Sequence, residues 1–379
     1  MERGSCMKKR SIVGTLILLA VCAALVAGTT SRASASPSSA KLTKITLQLK
    51  WVPQAQFAGY YAASLKGFYK AQGLDVTLKN GGPDIIPEQV VASGQAQFGV
   101  NWLPSLLAAR DKGTELVNIA QVFARSGMTQ LTWKSSGITS IAKMKGKKVA
   151  NWLGGNQYEL FAALTKAGMH PDKNQGVTIV QQPFDMGLLL KSQVDSASAM
   201  TYNELAQVLE SKNPKTGKLY TLADLNVIKM QDAGTGMLED GLFSTASWLK
   251  SAANQAIAVK FIVASLQGWI YCRDHQAECV QMTLKEGPTL PKGHQTWMMN
   301  EINKLVWPSS SGIGIMNAGD YGRTASISKQ FGVIKKAPSS GAYRTDLATK
   351  AVALLKKQGL DVNGASWKAA VVKVTANGK

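Results

Sequence analysis

The strongest constraint on this chain is a rhythm that runs twice: short apolar strands alternate with amphipathic helical stretches, and the series then begins again. In the first series the spacing predicts strands at Ile45–Leu49, Leu74–Leu78, Gln97–Val100 and Leu116–Phe123. Helices fall between them at Ala62–Gln72, Ile85–Ser93 and Leu103–Asp111. In the second series the strands are Gly146–Asn151, Val177–Gln181, Ala197–Met200 and Leu225–Ile228, with helices at Gln157–Ala167, Met186–Lys191 and Tyr202–Glu210. Parallel strands need a long crossover, and a helix laid over the sheet supplies it. Each series therefore calls for a largely parallel sheet covered by helices. From Ser247 onward the pattern is mostly helical, with amphipathic stretches at Ala252–Tyr271 and Leu347–Gln358. The expected fold is α/β with two lobes: 41–125 for the first part of lobe 1, 126–240 for lobe 2, 241–335 for a mostly helical return to lobe 1, and 336–379 for a C-terminal helical extension. At 379 residues and 45% hydrophobic, the chain can bury two such cores.

Residues 1–35 stand apart. Arg3, Lys8, Lys9 and Arg10 make a basic start, Ser11–Gly28 is apolar and uncharged, and Ala33-Ser34-Ala35 supplies small residues. This reads as a secretory signal peptide cut near Ala35, so the mature protein is expected outside the cytoplasm. A lipid anchor on Cys22 is disfavoured, because bulky Val21 precedes it inside the apolar run.

Without that segment only Cys272 and Cys279 remain. On one unbroken helix they would lie about 10 Å apart, too far to bridge. Asp274 ahead of His275-Gln276-Ala277-Glu278 reads as an N-cap opening a new helix, and a disulfide across the resulting turn is favoured. His170, His275 and His294 are scattered, and no cluster has metal-ligand spacing. The net charge is +20; removing the leader's surplus of four leaves +16. The lysines are dispersed in short groups such as Lys145-Gly146-Lys147-Lys148 and Lys335-Lys336, which describes a solvated basic surface rather than a nucleic-acid site.

In open α/β sheets, ligands sit beyond the carboxyl ends of the strands. Trp51, Gln54, Gln56 and Phe57 follow the first predicted strand, Trp102 the third, and Arg125 the fourth. In the second series Trp152 and Asn156 follow one strand, and Tyr202 and Asn203 another. Any one tryptophan alone reads as core. Together, the aromatic faces can sandwich a planar ligand while the amides read its ring nitrogens and carbonyls. Gly154-Gly155-Asn156 opens a helix and offers backbone donors to a polar ligand edge. Glu239 and Asp240 lie where the chain recrosses to lobe 1. They suit a hinge cap or a contact to a ligand amine better than catalysis, since no nucleophile or activating histidine is nearby. Gly59 is expected to let its helix pack closely.

At these residues the sequence resembles a known family. Trp51-Val52-Pro53 through Gly59-Tyr60-Tyr61-Ala62, Lys66-Gly67-Phe68-Tyr69, and Gln72-Gly73-Leu74-Asp75-Val76 resemble the opening of the NMT1/THI5-like periplasmic binding proteins. These are relatives of the nitrate, sulfonate and taurine binding proteins of ABC importers. Gln89–Phe98 and Met144–Trp152 continue the likeness, which covers roughly 44–335. The resemblance implies a type II binding-protein fold that closes around its ligand and hands it to a membrane permease. It implies a monomer, no cofactor, and flat nitrogen heterocycles as ligands: thiamine pyrimidine precursors in one branch, riboflavin in another. Pyrimidine-related members carry histidine where this chain has Phe57, and the fungal pyrimidine synthase adds a cysteine-rich segment absent here. Those departures oppose a synthase and point toward a larger ring system. The competing expectation is a small anion such as an alkylsulfonate, taurine or nitrate, held by Arg125 and the Gly154–Asn156 amides.

Overall fold

Strand β1 (Thr43–Gln48) forms where Ile45 and Leu47 alternate with more exposed neighbours. The computed structural model describes residues 41–379; the expected leader peptide with its cut near Ala35, and Cys22, lie outside them. Lobe 1 continues with α1 (Ala58–Leu65), α2 (Phe68–Ala71), β2 (Leu74–Lys79), α3 (Pro87–Ala92), β3 (Phe98–Trp102), α4 (Leu103–Asp111) and β4 (Leu116–Gln121). The chain then crosses to lobe 2, which holds β5 (Met128–Trp133), β6 (Lys148–Asn151), α5 (Tyr158–Lys166), β7 (Thr178–Gln181), α6 (Gly187–Leu190), β8 (Ser196–Met200), α7 (Glu204–Leu209) and β9 (Leu225–Lys229). It recrosses into β10 (Asp240–Thr245) and the helices α8 (Ala252–Asp274), α9 (Gln276–Glu286), α10 (Lys292–Val306), α11 (Ala318–Gln330) and α12 (Asp346–Lys357).

Each lobe has a five-stranded sheet, in the orders β2-β1-β3-β10-β4 and β7-β6-β8-β5-β9. In each, one strand runs antiparallel to its neighbours, and it is the first strand after a crossing: β5 in lobe 2 and β10 in lobe 1. The sequence pattern did not disclose either. Strand β5 hides behind Thr129, Gln130 and Thr132, which are polar yet wholly buried. Thr129 and Thr132 donate to the carbonyls of Ala199 and Ile138, and Ser196 donates to Gln130, so burial leaves these groups partnered.

Helices α1 and α8 meet through glycine. A Cβ on Gly59 would sit 2.3 Å from the Trp269 ring, and one on Gly268 would sit 2.0 Å from the Gly59 carbonyl. The expected single helix Ala62–Gln72 is two short ones, because Gly67 takes a left-handed conformation (φ 77°) between them.

Two further expectations change. Asp274 closes α8 rather than capping α9, and its carboxylate pairs with Arg273 instead. His275 (φ −129°) breaks the helix, bringing the Cα atoms of Cys272 and Cys279 to 5.5 Å, and the two are joined by a disulfide. The C-terminal extension is helical only in α12 and in short 3-10 turns. Past it, left-handed Gly359 and Gly364 turn the chain into an irregular strap. Asn300 exchanges two hydrogen bonds with the backbone of Ala370, and Arg273 donates to the Asp361 carbonyl. The strap ends on lobe 2, where the Asn377 N–H donates to the Glu210 carbonyl.

Candidate functional site

The loop after β1 leads straight into the gap between the lobes. Its 3-10 turn, Ala55–Phe57, is pinned from α10 by Gln295, which accepts the Ala55 N–H at 2.8 Å. The ends of β3, β6 and β8 deliver the other walls. Trp51, Gln54, Gln56 and Trp102 of lobe 1 and Trp152, Asn156, Tyr202 and Asn203 of lobe 2 line one cleft, with Lys50, Met200 and Glu204. The deepest part encloses only about 30 Å³, room for a single water. Toward solvent it widens to about 430 Å³ between Trp51, Ile85 and Pro87 on one lip and Leu153, Gln182 and Phe184 on the other. Phe184 and Leu153 stand 59% and 44% exposed, so the mouth offers apolar surface from both lobes.

Hydrogen bonds hold the lobes together across this gap. Lys50 Nζ donates to Asn156 Oδ1 at 2.7 Å, Ser105 Oγ to the Gly155 carbonyl at 2.8 Å, and Asn203 Nδ2 to Gln54 Oε1 at 3.4 Å. Trp152 is oriented by its indole N–H, which donates to the Pro183 carbonyl at 2.9 Å. Tyr202 meets Phe123 edge-on at 6.4 Å.

Several residues stand elsewhere than expected. Phe57 is fully buried in the lobe 1 core, edge-on to Tyr61, because the 3-10 turn points it inward. It adds no ring to the cleft. Arg125 lies on the crossing segment, where its guanidinium donates to the carbonyls of Leu305 and Pro308 and borders a separate 470 Å³ pocket. The Gly154 and Gly155 N–H groups both donate to Gln157 Oε1, which leaves them spent. Glu239 is fully buried and accepts the Gly127 N–H at 2.6 Å, tying the two crossing segments together. Asp240 stands behind the cleft and accepts from Gln56 Nε2 at 2.8 Å.

Lys50 and Glu204 also line the cleft, though the sequence pattern did not single them out. A lone lysine beside a tryptophan looks like any other member of a dispersed basic surface; only its place directly after β1 marks it. Lys50 is 6% exposed and its ammonium lies 4.0 Å above the Trp102 ring. Burial lowers its pKa, against the opposing pull of Asp240, Glu239, Glu88 and Glu204. Burial also pushes Glu204 up to about 7 and raises Asp240, the latter opposed by Lys50 and Gln56. Glu159, pushed up to about 8 by burial, accepts from Ser126 at 2.6 Å near the crossing, and burial together with Glu159 raises Glu239 well above its ordinary range. Among the described residues no cluster of His, Cys, Asp and Glu could hold a metal ion.

The family model described as NMT1/THI5 like matches residues 54–279, more than half of the chain. The chain belongs to the NMT1/THI5-like family. Within it, the chain is 24% identical to the riboflavin-binding protein RibY of Chloroflexus aurantiacus, over 69% of this chain and 74% of that one. It is 26% identical to a putative thiamine biosynthesis protein of Haemophilus influenzae, over 58% of this chain and 73% of that one. Fungal 4-amino-5-hydroxymethyl-2-methylpyrimidine phosphate synthases, such as THI11 of Saccharomyces cerevisiae, match over only 28% of this chain, at 32% identity. Among solved structures, the periplasmic aliphatic sulphonate binding protein SsuA of Escherichia coli superposes with a TM-score of 0.59, covering 87% of this chain and 94% of that one at 14% identity. A Candida albicans protein with the generic periplasmic binding protein fold superposes at 0.55, covering 87% of this chain and 98% of that one at 15% identity. This family member therefore has the two-lobed α/β architecture of the type II periplasmic binding proteins.

Proposed function

We propose that this protein is the extracytoplasmic substrate-binding component of an ABC importer, capturing a planar nitrogen heterocycle between its lobes and delivering it to a membrane permease. One observation carries the reading: Trp51 and Trp102 from one lobe and Trp152 and Tyr202 from the other meet around one cleft, interleaved with Gln54, Gln56, Asn156 and Asn203. The Trp51, Trp152 and Tyr202 rings supply stacking, and the Gln54 and Gln56 amides each keep a donor and an acceptor for a lactam or aminopyrimidine edge. The names of two relatives, a riboflavin-binding protein and a thiamine biosynthesis protein, point to the same ligand chemistry. The protein works as an exported monomer, freed of its leader near Ala35, and it captures rather than converts its ligand.

A second reading has its own support. Lys50 is a buried ammonium with one hydrogen-bond acceptor, Asn156, so donors remain for an anionic group such as a sulfonate or nitrate. The other groups that reading relied on, Arg125 and the Gly154 and Gly155 amides, are engaged elsewhere. Mass spectrometry of small molecules released from the native secreted protein separates the two. A flavin or an aminopyrimidine supports the first reading; recovery of a sulfonate alone supports the second.

A further inference from the structure

A one-way chain of hydrogen bonds runs beneath the cleft from lobe 1 to lobe 2. Asp240 Oδ2 accepts from Gln56 Nε2 at 2.8 Å, and Gln56 Oε1 accepts from Gln54 Nε2 at 2.5 Å. Gln54 Oε1 accepts from Asn203 Nδ2 at 3.4 Å, and Asn203 Oδ1 faces His294 Nε2 at 2.8 Å. The far nitrogen, His294 Nδ1, lies 3.0 Å from both oxygens of Glu210. Every amide in the chain points its nitrogen toward lobe 1 and its oxygen toward His294.

The direction is not free. Asn203 Nδ2 also donates to Glu204 Oε1 at 2.7 Å, while Glu204 Oε2 is taken by the Met200 N–H at 2.9 Å. Gln207 Nε2 approaches Asn203 Oδ1 from a second side at 3.4 Å. Turning the Asn203 amide over would set its nitrogen against Gln207 Nε2, which the Phe184 carbonyl already holds in place, and would break its bonds to Gln54 and Glu204. His294 thus meets an amide oxygen on one side and a carboxylate on the other, and both accept only.

His294 is well placed to act from outside the cleft. It sits on α10, which packs chiefly against α9 and the 3-10 turn of lobe 1 and also touches α7 of lobe 2, where Trp297 donates to the Thr201 carbonyl; Asn203 and Glu210 belong to lobe 2. Its bonds therefore span the lobes. His294 and Glu210 are each 7% exposed, and the strap covers them: a Cβ on Gly378 would lie 2.6 Å from His294 Cβ and 3.2 Å from Glu210 Oε1. The charged groups facing the ring are Glu210 and, through Asn203, Glu204.

We infer that His294 is a positioning residue: it latches the closed lobes and fixes which way the Asn203, Gln54 and Gln56 amides face, and so which hydrogen-bond pattern the cleft presents to a ligand. Gln54 and Gln56 each spend one N–H and one lone pair along the chain and keep the others for the ligand, whereas Asn203 is fully engaged and acts by holding them. The consequence for binding rests on the ligand cleft proposed above; the direction of the amides does not.

The test is 15N NMR of the full protein labelled at its side-chain amides. His294→Gln should shift the Asn203, Gln54 and Gln56 amide signals together. Gln130, buried in the lobe 2 sheet, should not move. A shift that stops at Asn203 overturns the inference. If His294→Gln fails to fold, Glu210→Gln removes the ring's second anchor and should also move all three amide signals; unmoved signals in that variant would also overturn it. Riboflavin is then titrated into both proteins. Loss of the latch should weaken binding about tenfold, and an equal Kd contradicts the latch. A wild type that does not bind riboflavin counts against the heterocycle reading alone, since the amide signals still decide the role of His294.

Discussion

Replacing Trp51 by alanine separates a binding aromatic from a core aromatic. Trp51 is half-buried and lines both the deep cleft and its wider mouth. A tryptophan side chain presents roughly 200 Å² of surface, so about 100 Å² remains for a ligand to cover. At about 25 cal/mol per Å² that area contributes about 2.5 kcal/mol. Trp51→Ala should therefore weaken binding by about 2–3 kcal/mol, roughly 30- to 150-fold in Kd. Because the ring is only partly packed, the thermal midpoint should move by less than about 2 °C. Trp102, 2% exposed and packed into the lobe 1 core, provides the contrast. Trp102→Ala should cost about 3–5 kcal/mol of stability, a fall of roughly 4–7 °C for a domain of this size. Calorimetric Kd beside melting temperature for both variants is the assay. Trp51→Ala with unchanged affinity and a melting temperature lowered as far as that of Trp102→Ala would refute the reasoning, because Trp51 would then be core.

Two further outcomes follow from the structure. Burial pushes Glu159 up to about 8 in the folded chain, whereas an unfolded glutamate titrates near pH 4.3. The folded state holds the proton more tightly, so stability falls as pH rises between those values, and the loss is complete above about 8. Glu159→Gln should therefore lose less stability between pH 5.5 and 8.5 than the wild type in urea unfolding; identical losses would contradict the assignment. At the crossing of α1 and α8, Gly268→Ala drives a methyl to 2.0 Å from the Gly59 carbonyl and should destabilise the fold by about 1–3 kcal/mol or more, read as a lower urea midpoint. A midpoint within error of the wild type would show that the helices separate at no cost.

The sequence displays lobe-building strands where apolar residues alternate or cluster, and conceals them where buried groups are polar. Strand β3 is legible through Phe98 and Val100, and α4 is found with its observed bounds because Pro104 and its apolar run mark it. Strand β5 is not, since Thr129, Gln130 and Thr132 disguise a buried strand as a loop. The cleft is legible because one rule places ligands at strand ends, and Trp51, Trp102, Trp152 and Tyr202 all stand there. What strand position cannot reveal is side-chain direction. Phe57 is three positions from Gln54 yet turns into the core, and Arg125 leaves the cleft for the far side of the crossing segment. Nor can spacing reveal partners distant in sequence: His294 meets Asn203 across 91 residues, so a histidine that looked solitary is joined to the cleft.

Calorimetric titration of the mature wild-type protein with riboflavin, a thiamine pyrimidine and an alkylsulfonate tests the central claim most directly. Stacking among Trp51, Trp152 and Tyr202 predicts that one of the two heterocycles binds at least a hundredfold more tightly than the sulfonate, an advantage of about 2.8 kcal/mol, and quenches tryptophan fluorescence. Tight binding of the sulfonate with neither heterocycle bound would contradict the account, and would make Lys50 rather than the aromatic rings the centre of recognition.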